Sequence, residues 1–259
     1  MQTGETTVQT FTSSDGLTIA YREWPGEADA PPVLLHHGFA VDAVLNWVYP
    51  GLVGALTAAG RRVVAVDARG HGASAKPSTV AHYGERRMAE DVATLVELLG
   101  VAEIDLVGYS MGAIVSLLVA ADQPWVRRLV VGGIGAAVVE LGGVETRGSA
   151  PGELAAALRA ADPVGLRPVV ATFRAFADQT GADRFALALQ AEAFNTDPIP
   201  LDRITAPTLL LAGDSDPLAT RPEVLRDAIP DARLLVLPGD HLSVVGHPEF
   251  TRAVTDFVS

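Results

Sequence analysis

The chain has 259 residues, 49% of them hydrophobic and 19% charged, which fits one large globular domain and excludes disorder and collagen-like repeats. Its 19 basic and 31 acidic side chains leave a net charge of −12, and with no basic cluster to offset it the chain is expected to avoid nucleic acid and anionic membranes. Cysteine is absent, which removes disulfides, thiolate catalysis, iron–sulfur clusters and Cys-ligated zinc.

In chain order, the polar segment Met1 to Asp15 lacks the basic and apolar regions of a signal peptide. No apolar run reaches the length of about 18 residues that spans a bilayer. A cytoplasmic protein is the expectation. Lys76 is the one lysine against 18 arginines, a balance in keeping with a GC-rich bacterial genome. Val8 to Ser13 and Leu17 to Trp24 flank Asp15-Gly16 and predict a hairpin. Pro32 to His36 is a short apolar strand that runs into a Gly-containing loop. Val44 to Ala59 has a helical pattern stopped by Gly60, and Arg62 to Asp67 is a β-branched strand. Glu85 to Leu99 places Met88, Val92, Leu95, Val96 and Leu99 on one helical face. Ile104 to Tyr109 reads as a strand and Met111 to Ala121 as a nearly all-apolar, buried helix.

Val126 to Val131, Pro207 to Leu211 and Ala232 to Leu237 complete the strands, and Pro222 to Ala228 and Pro248 to Val258 are helices. Apolar strands alternating with helices predict a mostly parallel sheet covered on both faces, with the opening hairpin as an antiparallel edge. Residues 136–201 break the alternation: Glu153 to Ala161, Leu166 to Thr180 and Asp183 to Phe194 are helical and no strand pattern occurs. The expectation is a single domain whose core, 1–135 and 202–259, carries a helical cap insertion at about 136–201.

Gly108-Tyr109-Ser110-Met111-Gly112 stands where an apolar strand meets an apolar helix. A sharp turn there needs residues without bulk on both sides of Ser110, and it projects the serine at the C-terminal sheet edge, beside a helix N-terminus. A serine hydroxyl needs a base to take its proton. His241, beside Gly239 in the loop after the last strand, fits that place, whereas His247 precedes Pro248 and reads as a helix-entry residue. The base needs a carboxylate, and Asp214-Ser215-Asp216-Pro217 offers two. Pro217 biases Asp216 to an extended conformation, while Asp214 reads as an Asx-type tie for its own loop.

Together with His36-His37-Gly38-Phe39, Asp67 to Ser74, Gly213 to Asp216 and Gly239-Asp240-His241, the Ser110 elbow resembles the α/β-hydrolase superfamily over essentially the whole chain. The resemblance implies an eight-stranded, mostly parallel sheet and a triad in the order Ser110, Asp216, His241, with Asp216 preferred to Asp214 and the alternative Glu140 set aside. It implies an oxyanion hole from the backbone N–H groups of Phe39 and Met111. His36 and His37 are read as loop-packing residues, and Asp67 to Ser74, His71 included, as a structural brace. Serine at the elbow separates the chain from the aspartate-nucleophile dehalogenases and epoxide hydrolases. The expected activity is cofactor-free and metal-free hydrolysis of a small, fairly apolar ester or lactone, by a monomer or homodimer. Carbon–carbon hydrolysis, perhydrolysis and ligand binding with negligible turnover are the alternatives. In the cap, Leu158, Leu166, Phe173, Phe176, Phe185, Leu189 and Phe194 are cap core or pocket wall, and Arg159, Arg167, Arg174 and Arg184 are solvated or face a substrate carboxylate.

Overall fold

A computed structural model describes residues 6–27, 30–150 and 152–259; the first five residues of the polar N-terminal segment and Pro151 in the expected cap lie outside them. Strands β1 (Gln9–Thr12) and β2 (Thr18–Trp24) form the antiparallel hairpin, and β2 pairs antiparallel with β4 (Val63–Asp67). The other pairings are parallel and join β4 to β3 (Val33–His36), β3 to β5 (Ile104–Tyr109), and then β6 (Val126–Gly132), β7 (Thr208–Gly213) and β8 (Ala232–Leu237). The sheet thus has eight strands in the order β1-β2-β4-β3-β5-β6-β7-β8. The order reverses between β3 and β5, and crevices at such reversals, outside the carboxyl ends of the strands, are where open α/β sheets bind ligands.

Helices cover both faces because the central strands are buried on both. On one face, α2 (Glu85–Leu99), α3 (Met111–Asp122) and α8 (Pro222–Ala228) pack Met88, Val92, Ile114, Leu117 and Leu225 against Leu34, Leu106 and Leu129. On the other, α1 (Leu52–Ala58) and α9 (Pro248–Val258) pack Leu52, Leu56, Phe250 and Val254 against Val33, Val107 and Leu211. Between β6 and β7 run α4 (Ala137–Leu141), α5 (Glu153–Arg159), α6 (Pro168–Thr180) and α7 (Arg184–Glu192). Here α5, α6 and α7 share a small apolar cluster of Ala155, Leu158, Ala177 and Leu187 that also takes in Ala40.

The expected helix over Val44 to Ala59 is broken. Val44–Val48 is a π-helical turn closed by Tyr49 N–H on Val44 O, and α1 begins only after Gly51, whose φ of 95° lies in the left-handed region. Pro50 and Gly51 end one turn and reset the chain for the next. The short helix α4 has no counterpart in the sequence pattern. Among the described residues no helix is long and apolar enough to cross a membrane.

Candidate active site

Ser110 follows β5 at φ 54° and ψ −115°, a left-handed conformation that costs a non-glycine residue free energy and persists only where its surroundings hold it. The elbow glycines are required by close approach. A Cβ on Gly108 would stand 2.2 Å from Gly112 O, and one on Gly112 would stand 2.1 Å from His36 O. The Ser110 N–H donates to Gly132 O at 2.8 Å, which fixes the elbow to the next strand, and the N-terminus of α3 stands directly behind the serine.

The loops after β7 and β8 meet Ser110 at the same sheet edge. His241 Nδ1 lies 2.8 Å from Asp216 Oδ2, and His241 Nε2 lies 3.0 Å from Ser110 Oγ. A carboxylate only accepts, so Nδ1 carries the proton and Nε2 accepts from the serine hydroxyl. The second oxygen of Asp216 accepts the Leu218 N–H at 2.8 Å, and the Asp216 side chain is fully buried. Asp214 does not tie its own loop as expected: its Oδ1 accepts the Gly239 N–H at 3.0 Å, across to the loop after β8. Glu140 is engaged at the surface by Arg221 and Arg147. His247 caps α9, its Nδ1 accepting the Glu249 N–H.

Phe39 and Met111 flank the crevice on the loop after β3 and the first turn of α3, and among the described residues neither backbone N–H meets an acceptor. The loop of Phe39 is held from below. His37 Nε2 accepts the Ala68 N–H at 2.9 Å, so its Nδ1–H donates to Gly38 O at 2.7 Å; burial lowers the affinity of this ring for a second proton. His36 and His71 are equally enclosed, and desolvation brings each down to about 3. Asp67 accepts N–H bonds from Ala43 and Ala73 and pairs with Arg22, while Arg69 is buried between Asp15 and Asp91. That segment ties the hairpin, β4 and α2 together and contributes no group to the crevice.

Tyr109, the residue before the serine, has a role that sequence reasoning missed. Its hydroxyl donates to the backbone carbonyl of His241 at 2.6 Å, and the two rings lie 5.2 Å apart. Burial raises this phenol well above its ordinary value, so it remains a donor. The partner is 132 positions away in sequence, and no local signal announces it.

Over these groups lies a cavity of about 230 Å³. Phe173 and Phe176 of α6 form one side of it, with Phe39, Leu45, Leu242 and Val245 on others. Phe194 packs on the Phe39 ring instead, Leu158 belongs to the cluster among the helices, and Phe185 is 61% exposed. Arg159, Arg167, Arg174 and Arg184 do not line the cavity. Arg159 pairs with Glu192, Arg167 with Glu153, and Arg174 and Arg184 with Asp178.

A family model described as the alpha/beta hydrolase fold matches residues 31–134. The 2-(acetamidomethylene)succinate hydrolase of Mesorhizobium japonicum is 31% identical over 75% of this chain and 77% of its own length. The chain belongs to the α/β-hydrolase family. Among solved α/β-hydrolase structures, a hydrolase from Pseudomonas aeruginosa PA01 is 30% identical with a TM-score of 0.78 over 100% of both chains. The enol-lactonase of Burkholderia xenovorans LB400 shares the fold at 24% identity and a TM-score of 0.78, over 96% of this chain and 99% of that one.

Proposed function

We propose that the protein is a serine hydrolase that cleaves a small, neutral, fairly apolar ester or lactone through an acyl-enzyme on Ser110. The observation that carries this reading is His241 bridging Ser110 Oγ and Asp216 beneath a largely apolar cavity. Ser110 Oγ attacks the substrate carbonyl while His241 Nε2 takes its proton, and Asp216 stabilises the resulting imidazolium. The Phe39 and Met111 N–H groups receive the oxyanion as it forms. The tetrahedral intermediate collapses, the alcohol departs with the proton from His241, and Ser110 is left acylated. Water, deprotonated by the same imidazole, then hydrolyses the ester and restores the serine. Nucleophile, base, carboxylate and donors are all the chain's own, so the reaction needs no cofactor.

Residues 136–201 act as a cap in this reading, with Phe173 and Phe176 walling the acyl or alcohol group off from water. The relative named above acts by its name on a succinate. Here Arg159, Arg167, Arg174 and Arg184 are engaged with carboxylates away from the cavity, which favours an uncharged substrate. The test is a panel of neutral and carboxylate-bearing esters and lactones. Wild type should turn over the neutral members preferentially, and Ser110→Ala and His241→Ala should each lower kcat by about 10⁴-fold or more with the fold intact. Hydrolysis by Ser110→Ala at the wild-type rate would defeat the mechanism.

A further inference from the structure

The cavity wall holds one polar side chain that the chemistry above leaves unused. Asn46 sits on the π-helical turn Val44–Val48, on the loop side of the crevice, and lines the cavity while only 7% exposed. Its Oδ1 accepts the Gly38 N–H at 2.8 Å. That bond fixes the amide orientation, because only the oxygen accepts from an N–H. Nδ2 is therefore the atom left to donate: among the described residues it meets no acceptor, and unlike the fully buried unpartnered nitrogens it keeps accessible surface. The other polar side chains of the wall are committed: Ser110 and His241 to each other, and the Tyr109 hydroxyl to the His241 carbonyl. A methyl group at Gly38 would touch both Ser110 Cβ, at 3.4 Å, and Asn46 Oδ1, at 3.6 Å. The Asn46 amide oxygen and the Ser110 side chain thus both border the Gly38 position.

The backbone is built to present it. A plain α-helix over Val44 to Ala59 would set side chains at regular spacing; the wider turn displaces them, and such turns recur at functional sites. The turn is anchored at its start by Asp42, whose carboxylate accepts the N–H groups of Val44 and Leu45, and by the Ala43 N–H on Asp67.

Resting on the hydrolase reading, we propose that Asn46 is a specificity-determining residue whose Nδ2 donates to a second, neutral acceptor oxygen of the substrate, close to the scissile carbonyl. The substrates are then oxygen-bearing acyl compounds, such as alkoxy- or oxo-acyl esters and lactones, rather than plain alkyl esters. The donor discriminates because an analogue with a methylene in place of that oxygen leaves Nδ2 unpaired.

Ethyl butyrate and ethyl methoxyacetate differ by one CH₂-to-O replacement and test this. Their intrinsic reactivities differ, so the quantity read is the ratio of their kcat/KM values, compared between wild type and Asn46→Asp. The aspartate keeps an acceptor for the Gly38 N–H and removes the donor, and any general effect of its charge on the oxyanion cancels in the ratio. The preference for the methoxy ester should fall by roughly tenfold. An unchanged ratio, with both rates falling together, would overturn the proposal and leave Asn46 as a support for the Gly38 loop alone. Asn46→Leu gives the same comparison if the aspartate variant does not fold.

Binding of the two intact esters to Ser110→Ala and to Ser110→Ala/Asn46→Asp, followed by ligand-observed NMR, is the second readout. A methoxy preference that vanishes with Asn46→Asp, where the wild-type protein with Ser110 intact cleaves neither ester, supports Asn46 and sinks the hydrolase reading. No binding preference in Ser110→Ala sinks the Asn46 proposal whatever the turnover.

Discussion

Replacing Glu85 by glutamine should make the protein more stable at pH 8, by an amount that shrinks as the pH falls to 4.5. Glu85 opens α2 and is buried against the segment that leaves α7; its Oε2 accepts the Asn195 N–H at 2.7 Å. Beside it the Gly84 N–H donates to Gln190 Oε1 at 2.9 Å, and among the described residues Glu85 Oε1 has no partner. Desolvation therefore outweighs the bonds it accepts and pushes the carboxyl from an ordinary 4.5 up to about 7. Below pH 4.5 folded and unfolded chains both hold the proton, and the group adds no pH dependence. Between 4.5 and 7 the unfolded chain loses it first, so stability falls as pH rises and levels off once the folded carboxyl ionises. At about 1.4 kcal/mol for each pH unit of that window, the loss is roughly 3 kcal/mol. Glutamine keeps an acceptor for Asn195 and never ionises. Urea unfolding of both proteins from pH 4.5 to 8.5 yields the difference directly, with the other titrating groups common to both. A difference curve that stays flat across the window would refute the burial argument.

The remaining predictions concern the crevice. Asp216→Asn should lower kcat by about 10⁴-fold through loss of the correct histidine tautomer, whereas Asp214→Asn, which keeps an acceptor for Gly239, should leave steady-state rates little changed; the reverse order would exchange their roles. Tyr109→Phe leaves the His241 carbonyl without its donor, so chemical denaturation should show a loss of about 1–3 kcal/mol and kcat should fall more than KM rises. Gly112→Ala drives a methyl into the His36 carbonyl and should cost about 1–3 kcal/mol or more, read as a lowered unfolding midpoint.

Local chemistry explains what was legible in the sequence. The strands and most helices follow from apolar runs and from glycine and proline punctuation, and the Ser110 elbow from two glycines whose absence of bulk is a local demand. The choice between Asp214 and Asp216 rested on Pro217 and family resemblance, because either carboxylate can follow a strand end; the structure turns Asp216 to His241 and Asp214 to Gly239. The break in the Val44 to Ala59 helix was written in Pro50-Gly51, which interrupt any helical pattern, but the π-turn before it was illegible, since Val44, Leu45, Trp47 and Val48 satisfy a π-turn and an α-turn alike. The short helix α4 has too few residues for a periodicity. The pairing of Arg159, Arg167, Arg174 and Arg184, the bond of Tyr109 to the His241 carbonyl and the burial of Glu85 beneath Asn195 all depend on residues brought together by the chain's path, which single-sequence spacing does not encode.

The central claim is an activated serine at position 110, and intact mass after treatment with a fluorophosphonate probe tests it without knowledge of the substrate. One adduct on the wild-type protein, absent from folded Ser110→Ala, is the predicted result. No adduct on folded wild type, or an equal adduct on the alanine variant, would contradict it.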